Sequence, residues 1–114
     1  MKGAHFGRRL GFALRGIAAA FARERSFRTQ TFAGATVLAA LLLTRPAAVW
    51  WAIAALASGL VLVAELVNTA FEALLDRVHP ERHPEIRIAK DVAAGAVLVA
   101  SVTAVLVALA FILA

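Results

Sequence analysis

Glu65, Asn68, Glu72 and Asp76 stand three, four and four residues apart in a segment that is otherwise almost wholly apolar. On a helix, at about 100° per residue, these four side chains fall within roughly 80° of arc and make one polar stripe. Carboxylates at membrane depth are costly and usually serve a function. One of them is readily explained as an interhelical hydrogen bond or an interfacial acid. Two carboxylates and an asparagine on one stripe ask for chemistry, and Asp76, nearer water, reads equally well as an ordinary exposed acid. Neighbouring carboxylates repel, so one tends to keep a proton while the other attracts a cation. A glutamate so placed suits general-base work. A second suits Mg²⁺, which takes a few carboxylates together with substrate phosphates. Asn68, between them, can orient a hydroxyl or a phosphate. Lys90-Asp91 precedes the last apolar run. A lysine there is ordinarily a topology signal, and beside a metal–phosphate site it serves equally as a phosphate ligand. The chain has no G-x-x-x-x-G-K-[ST] segment, so any nucleotide site is not a P-loop.

The composition says what must carry this stripe. The 114 residues make a one-domain length. Apolar residues make up 62% of the chain. The usual share is about 45–50%. A mean hydropathy of +0.84 on so short a chain leaves apolar surface that needs lipid or partner subunits. A charged share of 17% excludes disorder. The absence of cysteine excludes a disulfide framework, a zinc ribbon and a thiol nucleophile.

The net charge of +5 is unevenly placed. Residues 1–30 hold Lys2, Arg8, Arg9, Arg15, Arg23, Arg25 and Arg28, with Glu24 as their one acid. Arginines recur through the segment, so it is not read as a signal peptide. Phe6, Leu10, Leu14, Ile17 and Phe21 are spaced 4, 4, 3 and 4 apart, which marks one face of a helix over about 5–24. Arg8, Arg9, Arg15 and Arg23 fall opposite. Such a helix lies in a membrane interface with its arginines toward phosphate, as a simple anchor or as part of a nucleotide site. A nucleic-acid role is disfavoured, because the rest of the chain is built for lipid.

Three apolar runs follow. Thr31–Leu43 is short for a span. It reaches spanning length by taking in Ser26–Gln30, with Arg28 snorkelling to the interface. Arg45-Pro46 marks a loop, since the residue before proline avoids the α region. Ala47–Ala64 carries no charge, and its helical pattern continues to about Val78 before His79-Pro80 and His83-Pro84 break it. Val92–Ala114 has 23 uncharged residues. The expected architecture is therefore all-α, one domain over 1–114, with spans near 26–43, 47–78 and 91–114. Basic residues crowd the N-terminus and the 76–91 loop, while the 44–46 turn has only Arg45. By the positive-inside rule the first two are cytoplasmic. Trp50 and Trp51 fit an outer interfacial anchor. Alanine and glycine along the spans allow close packing into a bundle or oligomer.

Glu65–Asp76 reads E-L-V-N-T-A-F-E-A-L-L-D. It resembles the signature of the prokaryotic diacylglycerol kinase family, E-x-[hydrophobic]-N-[ST]-A-[hydrophobic]-E-x-x-[hydrophobic]-D. Ile88–Val97, I-A-K-D-V-A-A-G-A-V, is similar to the family's second block, centred on A-K-D. Phe12–Gly16 and Glu24–Arg28 resemble its amphipathic first helix and its E-x-x-F-R element. The resemblance covers nearly the whole chain in order. It implies an integral membrane kinase of the bacterial cell membrane with an amphipathic N-terminal helix, a cytoplasmic N-terminus, three spans and a homotrimeric assembly. The implied reaction moves the γ-phosphoryl group of MgATP to a lipid primary hydroxyl. By the resemblance, Glu65 matches the general base and Asn68 its support. Glu72 and Glu24 match the metal-binding carboxylates beside ATP. Lys90 and Asp91 match nucleotide-binding positions, Glu81 and His83 lie where the family's loop approaches the nucleotide, and Asp76 supports the site.

The chain departs from the family pattern in two places. His5 stands where an N-terminal arginine contacts the nucleotide, leaving Arg8 or Arg9 to replace it. Phe12 stands where a hydroxylated aromatic often sits, which keeps stacking and loses a hydrogen bond. The second block looks more like the undecaprenol kinase branch and the E-x-x-F-R-x-Q stretch more like the diacylglycerol branch, so diacylglycerol is the first acceptor and undecaprenol the alternative. A reading from another class is a small proton-coupled exporter, but it has no use for Asn68, Glu72 or the Lys90-Asp91 pair, and such exporters typically need four spans.

Overall fold

The computed structural model describes residues 5–78 and 83–114. These form four helices and no strand: α1 (Phe6–Arg23), α2 (Arg25–Thr44), α3 (Ala48–Val78) and α4 (Pro84–Leu113). The sequence-level expectation of an all-α chain holds.

α1 and α2 are nearly continuous in sequence, yet Glu24 breaks them with an extended backbone, φ −113 and ψ 111. Two contacts fix the elbow. The Arg28 guanidinium donates to the carbonyl oxygens of Phe21 at 2.7 Å and Ala22 at 3.1 Å. A cation there satisfies the orphan acceptors of a helix C-terminus and complements its dipole. The Phe21 ring meets Phe27 and Phe32 edge-on, with centroids 6.4 and 6.1 Å apart. Arg28 thus reaches back to the end of α1.

α2 stops at Arg45, whose φ of 47 and ψ of 58 are left-handed and whose N–H donates to the Leu41 carbonyl at 2.8 Å. Pro46 disfavours the right-handed α conformation at the residue before it. The usual alternative is extended backbone; here the chain takes the left-handed region and closes the helix with its own amide. At the other turn Pro84 occupies the first turn of α4, where a missing N–H costs nothing. His83 Nδ1 caps that turn by accepting from the Glu85 amide at 3.1 Å. α4 therefore begins ahead of the uncharged run that it carries.

α3 is the central helix. It packs along α4 and, less extensively, against α2 and α1. Trp50 meets Phe111 at 5.3 Å near one end of the α3–α4 pair, and Asp76 meets Lys90 near the other, so the two helices run antiparallel. The buried apolar positions among the described residues are Ala20, Phe27, Leu41, Ala54, Ala57, Val61 and Ala100. Four of the seven are alanines, which suits close helix approach and not a thick core. Large apolar side chains instead face outward along every helix. Two helices, α3 and α4, are long and apolar enough to cross a membrane. At about 1.5 Å per residue, about 20 residues cross a hydrocarbon layer of roughly 30 Å. Counted from Ala48, that length reaches about Val67, so Glu65 lies near the end of such a stretch of α3 and Glu72 and Asp76 lie past it.

Candidate active site

The stripe foreseen on α3 is present, and its members meet different partners. Glu65 is the one buried charged residue among the described residues, 3% exposed. Its Oε2 accepts from the Ser26 hydroxyl of α2 at 2.6 Å, a charge-assisted distance. One turn on, Thr69 donates its hydroxyl to the Glu65 carbonyl at 2.9 Å. Asn68 and Glu72 are half-buried. Asn68 Nδ2 donates to Glu72 Oε2 at 3.4 Å, a long bond. Asn68 Oδ1 is buried without any partner, and is the only such side-chain atom among the described residues. Asp76 is exposed and accepts from Lys90 Nζ at 2.5 Å. Four polar residues thus descend α3 from dry to wet, the first clamped by α2 and the last by α4.

Glu24 lies at the α1–α2 break, half-buried, and its carboxylate makes no hydrogen bond or ion pair among the described residues. The Ser26–Glu65 bond sets the register of the antiparallel α2–α3 pair. Two residues before Ser26, Glu24 falls about two residues after Glu65, at a level between Glu65 and Glu72. No group of three or more histidine, aspartate or glutamate residues among the described residues is arranged to hold a metal alone. A cation that also takes phosphate oxygens does not need one. The Glu24 carboxylate, unpaired among the described residues, the Glu72 carboxylate and Asn68 Oδ1 are all hard oxygen donors, the type that Mg²⁺ takes.

The remaining expected residues are more dispersed. Phe12 is exposed, with the Arg15 guanidinium 4.8 Å above its ring. Asp91 is exposed and pairs with Arg87 one turn back at 3.4 Å. His83 is exposed and caps α4. Glu81 lies outside the described residues. The Lys90 ammonium, expected toward phosphate, is held on Asp76 at the wet end of the stripe. Ser26 escapes a reading of the sequence: its position opposite Glu65 depends on where the α1–α2 elbow falls, which the pattern of α3 alone does not carry. An apolar cavity of about 230 Å³, lined by Leu41, Trp50, Ala54 and Phe111 among others, is at the other end of the bundle from the carboxylates.

Residues 11–112 match the family model described as prokaryotic diacylglycerol kinase. The chain is similar to a diacylglycerol kinase of Synechocystis, 44% identical over 97 residues that cover 84% of this chain and 55% of that protein. It is also similar to an undecaprenol kinase of Bacillus subtilis, 36% identical over 83% of this chain and 77% of that one. A diacylglycerol kinase of Escherichia coli is 33% identical over 84% of this chain and 79% of its own length. The chain therefore spans little more than half of the Synechocystis protein and over three quarters of the other two.

Proposed function

This chain belongs to the prokaryotic diacylglycerol kinase family, and on that premise we propose that it phosphorylates the primary hydroxyl of a membrane lipid from ATP at the cytoplasmic face, with diacylglycerol as acceptor. The observation that carries the reading is the Glu65 carboxylate, buried yet with one oxygen unbonded among the described residues; on this reading it lies at the cytoplasmic edge of the hydrocarbon layer. An amphiphilic alcohol presents its hydroxyl at that depth. Glu65 takes the hydroxyl proton as the oxygen attacks the γ-phosphorus and the bond from that phosphorus to the β–γ bridging oxygen breaks, releasing ADP. Asn68 orients the base and the incoming phosphate. Glu24, Glu72 and Asn68 Oδ1 would hold Mg²⁺, which would neutralise phosphate charge there. Lys90, steadied by Asp76, faces the phosphates from the water side; Phe12 stacks on the nucleotide base; Asp91, Glu81 and His83 complete the nucleotide's surroundings. Phosphoryl transfer asks for positioning and charge neutralisation more than covalent chemistry, which suits a chain with so few functional side chains.

The same reading makes α2 the third span and the assembly a homotrimer. Support comes from the outward-facing apolar side chains on α2, α3 and α4, Leu38, Leu56 and Leu98 among them, which need lipid or neighbouring subunits. Undecaprenol is the second acceptor reading, supported by the undecaprenol kinase of Bacillus subtilis, whose 36% identity exceeds the 33% of the Escherichia coli diacylglycerol kinase.

The test is transfer of labelled γ-phosphate from MgATP in detergent–lipid micelles, with diacylglycerol and undecaprenol offered separately and Glu65→Gln as control. Label in diacylglycerol, lost in the control, is the expected result. Label in undecaprenol alone moves the acceptor to the second reading. Label in neither lipid, from folded protein, refutes the kinase.

A further inference from the structure

We infer that Ser26 is a positioning residue for the lipid-phosphorylation step: its hydroxyl pins one oxygen of Glu65 and leaves the other facing the acceptor hydroxyl. The inference rests on Glu65 being the base, and it concerns a variable position of the E-x-x-F-R element to which the resemblance assigns no role.

Three observations carry it. Ser26 donates to Glu65 Oε2 at 2.6 Å, the only bond to that carboxylate among the described residues. Oε1 makes no hydrogen bond among the described residues, so the carboxylate, though buried, keeps one oxygen uncommitted. Finally, Ser26 sits in the first turn of α2, two residues after Glu24, so one short segment supplies both an unpaired carboxylate and the clamp on the base.

The chemistry follows from these placements. A glutamate side chain has several rotatable bonds, and most of its rotamers would aim the carboxylate away from an incoming hydroxyl. A serine hydroxyl is a one-proton donor that rotates to suit, so it can hold Oε2 without taking Oε1. Its bond reaches across helices at membrane depth, where such side-chain bonds contribute only modestly to cohesion. If the bond were merely glue between α2 and α3, its removal would show in unfolding. As a positioning contact, its removal shows in turnover, because a misplacement of about 1 Å at a reacting group can cost about a hundredfold.

The closing experiment compares Ser26→Ala, Ser26→Thr, Ser26→Val and Glu65→Gln in the micelle assay, with kcat and the KM for ATP and for lipid measured separately. Threonine and valine have nearly the same shape and differ in the hydroxyl, and Ser26 is exposed enough to take the extra methyl. Alanine and valine should lower kcat about ten- to a hundredfold, the scale of one hydrogen bond to a charged group, with both KM values within about twofold. Threonine should stay within about threefold of the parent. Parental kcat in Ser26→Val, or a threonine variant as slow as valine, overturns the inference even if Glu65→Gln is inactive. Parental kcat in Glu65→Gln overturns the base assignment itself and the inference with it, so the two failures are distinguishable.

Discussion

Replacing Asn68 by leucine should make the protein more stable and less able to bind its nucleotide. Asn68 Oδ1 is buried with no partner. A buried unsatisfied acceptor costs about 1–3 kcal/mol. The amide nitrogen gives back little, since its bond to Glu72 is 3.4 Å long. Such a bond belongs at the weak end of the range, about 0.5 kcal/mol. Leucine removes both groups and fills similar space on a helix whose neighbours are apolar. The net expectation for the ligand-free protein is a gain of about 1 kcal/mol. The cost appears when ligand is added. A ligand held at about a hundred times its Kd stabilises the folded state by about 2.7 kcal/mol. Asn68→Leu should lose most of that increment, because the oxygen proposed to hold the metal is gone. The assay is thermal unfolding in micelles with and without a non-hydrolysable MgATP analogue, for the parent and the variant. A variant less stable than the parent without ligand would show that Oδ1 is satisfied in solution. A variant with the parent's full ligand-induced shift would show that the oxygen takes no part in the site. Either result refutes the reasoning.

Arg45 holds a left-handed backbone. That conformation costs a side-chain-bearing residue roughly 1–2 kcal/mol and glycine little, so Arg45→Gly should raise stability by about 1 kcal/mol. Unchanged or lower stability would mean that the strain is offset elsewhere. Arg28→Leu should cost about 1–2 kcal/mol by uncapping the end of α1. Hydrogen exchange at Glu24, whose amide donates to Ala20, should quicken; parental exchange there would show that the elbow is held by the phenylalanine contacts alone. The Asp76 side chain is 64% exposed. Asp76→Asn should therefore change stability by less than about 1 kcal/mol. It should nonetheless raise the KM for ATP severalfold by releasing Lys90, and an unaltered KM would separate that ion pair from nucleotide binding.

These predictions fall where periodicity stops being informative. The stripe on α3 was legible because each of its members lies on one helix, where a count of residues is a count of angle. The all-helical class was legible for the same reason, from apolar runs too long for strands. What a single helix cannot express is which residue of another helix stands opposite. Ser26 faces Glu65 only because Glu24 interrupts the chain and sends α2 off at a fixed register; the spacing of residues 6–44 marks where the two helices part but not the direction in which α2 leaves. The rule for residues before proline argued against the right-handed α region at Arg45 but did not choose between extended and left-handed backbone. The choice came from the Leu41 carbonyl, which at a helix end inside an apolar chain has few other donors. Arg28 follows the same logic: read alone, it is a cation seeking water, and beside the end of α1 it finds two carbonyls instead. Asn68 is the reverse case, a polar atom for which the fold supplies nothing. At every other buried side-chain polar atom described, folding found a partner. An exception beside Glu72 is where the proposed site would take a ligand from outside the chain.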